Sequence, residues 1–220
     1  VPKISPDDPT SKGIFVAFHT EQNGVTVTNW QPIRIETSDA AGNHAFNRSW
    51  SSHRDENGDA TMTYQSGLWP KLMPWKLRVE FSRNSGFKDN EVWTIPNVPV
   101  KRGTWQDVYG GNYGGRNAHT NSAVAETTLN GIYLQIFPVI QLTDQGGNNG
   151  EKPGGFRIQA DQPFDGMQMT LLKATDENGR AVPFWSGNSW GNNNSHQFQL
   201  RNLRNATSLN LTIALHKSQF

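Results

Sequence analysis

Apolar and polar residues alternate over the nine positions Trp75–Arg83, and one face carries Trp75, Leu77, Val79 and Phe81. A period of two is typical of a β-strand with one face in a core and the other in water. The same pattern recurs in Leu209–Lys217, which starts 209 − 75 = 134 residues later. Two matching strands so far apart indicate that the chain contains one fold twice.

Two further landmarks recur in the same order. The segment Gly131–Ile136 resembles Gly13–Phe18, at an offset of 131 − 13 = 118 residues. The turn 175–179 resembles the turn 38–42, at an offset of 176 − 39 = 137 residues. An internal duplication is therefore predicted. It requires an insertion of 137 − 118 = 19 residues in the second copy, which we place in the Gly/Asn-rich segment 146–155.

Short strand patterns separated by Asn-Gly and Asp/Gly turns run through the chain, and no amphipathic helix is visible. This organisation predicts an all-β protein made of two tandem β-sandwich domains of immunoglobulin-like type. The label is architectural, because a chain without cysteine lacks the Cys…Trp…Cys hallmark. The predicted strands include Gly13–Phe18, Val25–Thr28, Ala60–Tyr64, Trp75–Arg83, Glu91–Pro96 (an edge strand), Gly131–Ile136, Phe156–Ala160, Met167–Leu171 and Leu209–Lys217.

Four segments make up the predicted domain organisation. Residues 1–12 are an extended lead-in, 13–101 the first domain, 102–127 a Gly-rich linker and 128–220 the second domain. The chain begins with Val1 rather than Met, so we expect a processed fragment. Together with the abundant Gly, Pro and Asn, this favours an extracytoplasmic protein, periplasmic or secreted.

The amino-acid composition argues against several function classes. The 20 Lys and Arg balance 19 Asp and Glu, and no basic patch appears, so no nucleic-acid partner is expected. The absence of cysteine excludes disulfides, cysteine zinc sites and cysteine nucleophiles. No stretch approaches the roughly 18 apolar residues of a membrane helix.

The sequence contains partial matches to catalytic and metal-binding motifs, but each lacks residues that the motif requires. The segment 187–191 matches G-x-S-x-G, but residues 190–220 contain no Asp or Glu to complete a triad. The turn Asp55–Asp59 starts like an EF-hand loop, but Ala60 and Ser66 occupy the positions that need Gly and Glu. A looser calcium site there stays open. The histidines show no metal-ligand spacing, so neither a metal nor a cofactor is predicted. The Gly-rich run Tyr109–Gly115 lacks the Lys-Ser/Thr of a phosphate loop.

Aromatic and amide side chains form the only clusters with the chemistry of a ligand site. Sugar rings offer an apolar face and a rim of hydroxyls, so aromatic walls with amide groups suit them. The candidate ligand-binding residues are Trp185, Trp190, Asn192, Asn193, Asn194, Tyr109 and Tyr113.

The leading hypothesis is a non-catalytic extracytoplasmic module for protein interaction or structural spacing. The alternative is a carbohydrate-binding module that uses the loop Trp, Tyr and Asn residues. A second alternative is a glycoside hydrolase, for which Glu80 and Glu91 are candidate carboxylates without a selecting spacing. We also expect Leu77→Asp and Leu211→Asp each to unfold its own domain, because each would bury an unpaired charge.

Overall fold

The computed structural model describes residues 13–42, 44–46, 52–54, 59–65, 76–109, 122–143, 151–184 and 194–218. The chain divides into two compact units. One consists of the first 86 residues with the last four, and the other is Phe87–His216. Strands predominate in both, which confirms the all-β prediction. The helices of the described part are one short α-helix, Trp105–Tyr109, and one 3₁₀ turn, Asp89–Glu91.

The described part of the first unit contains eight short strands. Strand order is β1-β7-β6 in one antiparallel sheet and β5-β4-β8 in another, and β2 and β3 form a hairpin. Asn23 and Gly24 close that hairpin with positive φ angles of 54° and 76°, as the Asn-Gly signal predicts. The strands are β1 (Gly13–His19), β2 (Glu21–Gln22), β3 (Val25–Thr26), β4 (Trp30–Ser38), β5 (His44–Phe46), β6 (Ser52–Arg54), β7 (Asp59–Gln65) and β8 (Lys76–Arg83).

Strand β8 forms where the alternating pattern predicts it, but its faces differ from the prediction. Leu77 is 46% exposed, whereas Glu80 and Ser82 are only 5% and 3% exposed. The buried carboxylate of Glu80 accepts a hydrogen bond from the hydroxyl of Ser218, which offsets part of its desolvation. The expectation that Leu77→Asp buries a charge is therefore wrong. A period of two identifies residues that share a face without telling which face is covered.

Among the described residues of the second unit are eight strands and the short α-helix. Its sheet has the order β10-β11-β13-β12-β9-β16-β14, and β15 pairs with β13. The elements are β9 (Val92–Gly103), α1 (Trp105–Tyr109), β10 (Ala125–Leu129), β11 (Ile132–Ile136), β12 (Val139–Leu142), β13 (Gly154–Ala160), β14 (Met167–Asp176), β15 (Ser195–Leu200) and β16 (Ser208–Lys217).

Strand β9 joins two groups of strands. Its first part pairs antiparallel with β16, and from Val100 to Gly103 it pairs in parallel with β12. The ladder with β16 shifts register near Pro96, a residue that cannot donate a ladder hydrogen bond. Residues 101–103 and α1 thus belong to regular elements of the second unit, which begins at Phe87.

Apolar side chains from β9 to β16 fill one core. The alternation predicted for β16 is confirmed in its first half, where Leu209, Leu211 and Ile213 are fully buried. It ends there, because Ala214 and His216 on the opposite face are fully buried as well. Strands β11 and β13 contribute every second residue, so their remaining side chains face away from the core. The fully buried apolar residues of these two strands are Leu134, Ile136, Phe156 and Ile158.

Helix α1 follows β9 because Thr104 and Asp107 cap its start. The backbone N–H and the hydroxyl of Thr104 donate to Oδ2 of Asp107, at 2.8 and 3.1 Å. The helix packs on the side of the sheet away from the core, where Val108 joins Ile140 and Leu142 in a small second cluster. Gly155 lies under the helix, and a Cβ there would come within 2.7 Å of the Phe198 carbonyl oxygen and 3.3 Å of the Trp105 ring.

Both Asp/Gly turns form as predicted. Oδ1 of Asp39 accepts the backbone N–H of Ala41 at 2.9 Å. Oδ1 of Asp176 accepts the N–H groups of Asn178 and Arg180, at 2.9 and 2.8 Å. Each turn therefore rests on an aspartate that bonds its own backbone. The glycines that supply the positive φ are Gly42 (84°) and Gly179 (77°).

Candidate functional site

Polar and aromatic side chains cover the side of the second unit's sheet that faces away from the core. We call this surface the polar face. On β13 it starts beyond Gly155, where α1 sits, and continues with the residues that alternate with the buried ones. Four strands, β10, β11, β13 and β15, carry it. The polar face consists of Glu126, Tyr133, Gln135, Phe137, Arg157, Gln159, Ser195, Gln197 and Gln199.

Four of these residues form a straight row across the strands. Glu126 lies opposite Gln135, Gln135 opposite Gln159, and Gln159 opposite Ser195. Neighbouring strands lie about 4.8 Å apart, so the row is about 14 Å long. Its carboxylate and two amides can donate and accept hydrogen bonds along an extended polar ligand, whereas the Ser195 hydroxyl at its end is buried.

The Glu126 end of the row is open to solvent and internally bonded. Nε2 of Gln135 donates to Oε1 of Glu126 at 3.0 Å. A hydrogen bond from the Tyr133 hydroxyl and this amide bond hold the pKa of Glu126 below its ordinary value. The same Glu126 contact raises the pKa of Tyr133. Glu126 is therefore an ionised acceptor at neutral pH, and Tyr133 is held against it.

Arg157 lies in the middle of the polar face with its guanidinium over an aromatic ring. Its Cζ is 4.0 Å from the centroid of Phe137, which is a cation–π contact. Nη1 donates to Oε1 of Gln159 at 3.4 Å. Nε is buried and has no hydrogen-bond partner in the described part of the chain. Burial lowers the pKa of Arg157.

The β15 end of the polar face is covered. Ser195 and Gln197 are 5% and 8% exposed, and the Gln197 amide donates to the Ser195 hydroxyl at 3.2 Å. The backbone carbonyl of Asn194 accepts the N–H of Ala160 at 2.8 Å. The polar face is thus open along β10 and enclosed along β15.

His196 belongs to the core side of β15 rather than to the polar face. It lies opposite Ile158, and its ring is 4.9 Å from the ring of Phe198. Although the residue keeps some exposure, its Nε2 is buried and unpaired among the described residues. Burial lowers the pKa of His196 to about 4, against the opposing effect of a hydrogen bond to the Met169 backbone. This imidazole is therefore neutral at physiological pH.

Most of the sequence-predicted site lies outside the described residues. This holds for Trp185, Trp190, Asn192, Asn193 and Tyr113, and for the turn 55–58. Asn194 directly precedes β15, and Tyr109 is the last residue of α1. The segment with Trp185 and Trp190 starts after Phe184, which bridges to Leu200 of β15, and ends at Asn194.

The two candidate hydrolase carboxylates have structural partners. Glu80 accepts the bond from Ser218, and Oε2 of Glu91 accepts the backbone N–H of Lys88 at 2.8 Å in a capping interaction. Within the described residues, no group of three or more acidic, histidine or cysteine side chains could hold a metal ion. No helix in that part of the chain is long and apolar enough to cross a membrane.

The fold and this surface define an all-β chain with a polar, partly aromatic sheet face. Comparison with protein families, with curated proteins and with solved structures finds no match for it.

Sequence reasoning missed the polar face, although a signal exists. Glutamine or arginine occupies the outward positions of three strands, as Gln135 in β11, Arg157 and Gln159 in β13, and Gln197 and Gln199 in β15. Their alternation with apolar residues is readable from the sequence. That these strands are neighbours, so that the amides form one row, is a property of the sheet order alone.

Proposed function

We propose that this chain is a non-catalytic, extracytoplasmic β-sandwich module that binds a carbohydrate chain on its polar face. The observation that carries the proposal is the row from Glu126 to Ser195, which crosses four strands. Amides and a carboxylate can each bond two neighbouring hydroxyls of a sugar. The rings of Tyr133 and Phe137, both partly exposed, border the row and offer apolar faces for sugar rings.

The segment with the predicted Trp185 and Trp190 follows Phe184 in the chain and precedes Asn194, which adjoins Ser195 at the enclosed end of the row.

The finer architecture is part of the proposal: two tandem immunoglobulin-like sandwiches that arose by duplication. Pairing supports this, because β1 pairs with β7 as β13 pairs with β15, and β4 neighbours β8 as β14 neighbours β16. Strand β4 in the first unit and strand β14 in the second both end at an Asp/Gly turn.

This pairing gives a simpler duplication than the sequence landmarks do. Gly13, opposite Gln65, corresponds to Gly154, opposite Leu200. The offsets are then 141 for this glycine pair, 137 for the turns and 134 for the last strands. These offsets differ by only a few residues. In this alignment the duplicated counterpart of β1 is β13 and not Gly131–Ile136, and no 19-residue insertion is needed.

The test of the carbohydrate proposal is affinity electrophoresis against soluble polysaccharides, with and without calcium. We expect at least one glycan to slow the migration of the protein through the gel. Retardation should be lost in the double variant Gln135→Ala/Gln159→Ala, which removes the two central amides of the row. Thr94→Ala and Lys173→Ala are matched controls, since both side chains are exposed on other strands of the second unit.

The outcomes separate the hypotheses. Retardation that survives the double variant but is lost in Trp190→Ala would overturn the polar face as the site. Absence of retardation by every glycan would overturn carbohydrate binding and favour the protein-interaction or spacer role. A partner pull-down from the host would then be the next experiment.

A further inference from the structure

Among the described residues, Arg157 is a cation without a counter-charge in the middle of the polar face. Its contacts among the described residues are the Phe137 ring and the long bond to Gln159. No carboxylate in that part of the chain lies within ion-pair distance of it, and its Nε has no partner. A half-buried guanidinium is thus held in place by an aromatic ring and one amide.

Partial burial of this cation carries an energetic cost. The guanidinium stays charged in proteins, and partial burial removes water from it. A cation–π contact returns only part of the lost solvation. A bound anion would accept hydrogen bonds from the Nη groups, since Nε is buried. A carboxylate matches the planar guanidinium better than it matches an ammonium group.

We infer that Arg157 recognises a carboxylate of the ligand, so that the carbohydrate chain bound on the polar face contains a uronic acid. This inference rests on the proposed function and names its ligand class. The neighbouring amides of Gln159 and Gln135 then bond the hydroxyls of the same and the next sugar. Glu126, ionised at the far end of the row, directs the carboxylate toward Arg157 rather than toward the open end.

The experiment compares each acidic polysaccharide with its own methyl ester, which keeps the sugar backbone and removes the charge. The probes are polygalacturonate, alginate and hyaluronate, with a neutral glucan as reference. We expect the wild-type chain to bind at least one acid form and to lose roughly ten- to hundredfold in affinity for its ester. Binding to the acid form should weaken as salt rises.

Variants of Arg157 test the residue itself. Arg157→Gln should cause the same loss toward the acid form without changing affinity for the ester. Arg157→Lys should bind the acid form with an affinity between those of the wild type and Arg157→Gln, because lysine keeps the charge but not the planar pair of donors. Arg180→Gln removes an exposed arginine from the turn after β14 and should bind like the wild type. Thermal unfolding of each variant identifies any loss of fold.

Equal binding of acid and ester by the wild type would overturn the inference, as would unchanged acid binding in a folded Arg157→Gln variant. If a neutral glucan binds through Gln135 and Gln159 while no acid form is preferred, this inference fails and the proposed function stands. If no polysaccharide of either kind binds, both fail together.

Discussion

The imidazole of His196 lies edge-on to the ring of Phe164, with the two ring centroids 6.1 Å apart. With Phe198 on another side, this places a titratable group among core aromatics, and burial lowers its pKa to about 4. In the unfolded chain the pKa returns to its ordinary value of 6.5. Protons therefore bind the unfolded state first as the pH falls.

The free energy of unfolding should thus depend on pH through His196. The contribution is fully present above about pH 6.5, declines down to about pH 4, and amounts to about 3 kcal/mol in total. Between about pH 6.5 and pH 4, urea unfolding should show a smaller decrease in the free energy of unfolding for His196→Leu than for the wild type. His19→Gln, at an exposed histidine, is the control. Parallel curves for His196→Leu and the wild type would contradict the prediction.

Two leucines that the sequence treats alike should respond differently to substitution. Leu77 is 46% exposed on β8, so Leu77→Asp should change the free energy of unfolding by about 0.5 kcal/mol or less. Leu211 is fully buried in the core, so Leu211→Ala should cost about 2–5 kcal/mol. Leu211→Asp should abolish folding of the second unit, because it buries an unpaired charge. Calorimetry of the three variants checks this, and a large effect of Leu77→Asp would place that side chain in a core.

The local patterns of the sequence predict elements well and neighbours poorly. Alternation locates β8 and β16, and the Asp/Gly pairs locate both turns, because each is a short-range property. The covered face of β8 depends on what packs against it, so Leu77 was assigned to the wrong side. The capping signal Thr104-x-x-Asp107 was readable and would have placed α1 inside the expected linker.

The polar face illustrates the same limit. Gln135 and Gln159 are outward residues of strands whose pairing crosses a long connection in the chain. Nothing within either strand specifies the partner, because register and sheet order depend on the fit of the whole core. The orientation of Arg157 over Phe137 likewise follows from that order. A polar surface built across four strands therefore becomes visible only in the folded chain.

The turn at Asp176 should depend on its carboxylate. The residue is buried, and Oδ1 accepts the N–H groups of Asn178 and Arg180. Asp176→Ala leaves both donors without this acceptor and should cost about 1–3 kcal/mol of unfolding free energy. Asp176→Asn keeps an Oδ1 acceptor and should cost less. Asp165→Ala, at an exposed aspartate, is the control in chemical denaturation. Equal effects of the Ala variants at 176 and 165 would refute the role of the carboxylate.

Asn97 and Asn210 should set the register of β9 against β16. Asn97 has a positive φ of 55°, and its backbone N–H donates to Oδ1 of Asn210 at 3.0 Å where the ladder shifts. Asn210→Ala removes the acceptor and should cost about 0.5–1.5 kcal/mol, whereas Asn210→Asp keeps it and should be nearly neutral. Asn97→Gly tolerates the positive φ, so it should destabilise less than Asn97→Ala, which adds about 1 kcal/mol of backbone strain. Urea unfolding of the four variants measures these differences. If the alanine variants match their conservative partners, the bulge is held by the surrounding core and not by this hydrogen bond.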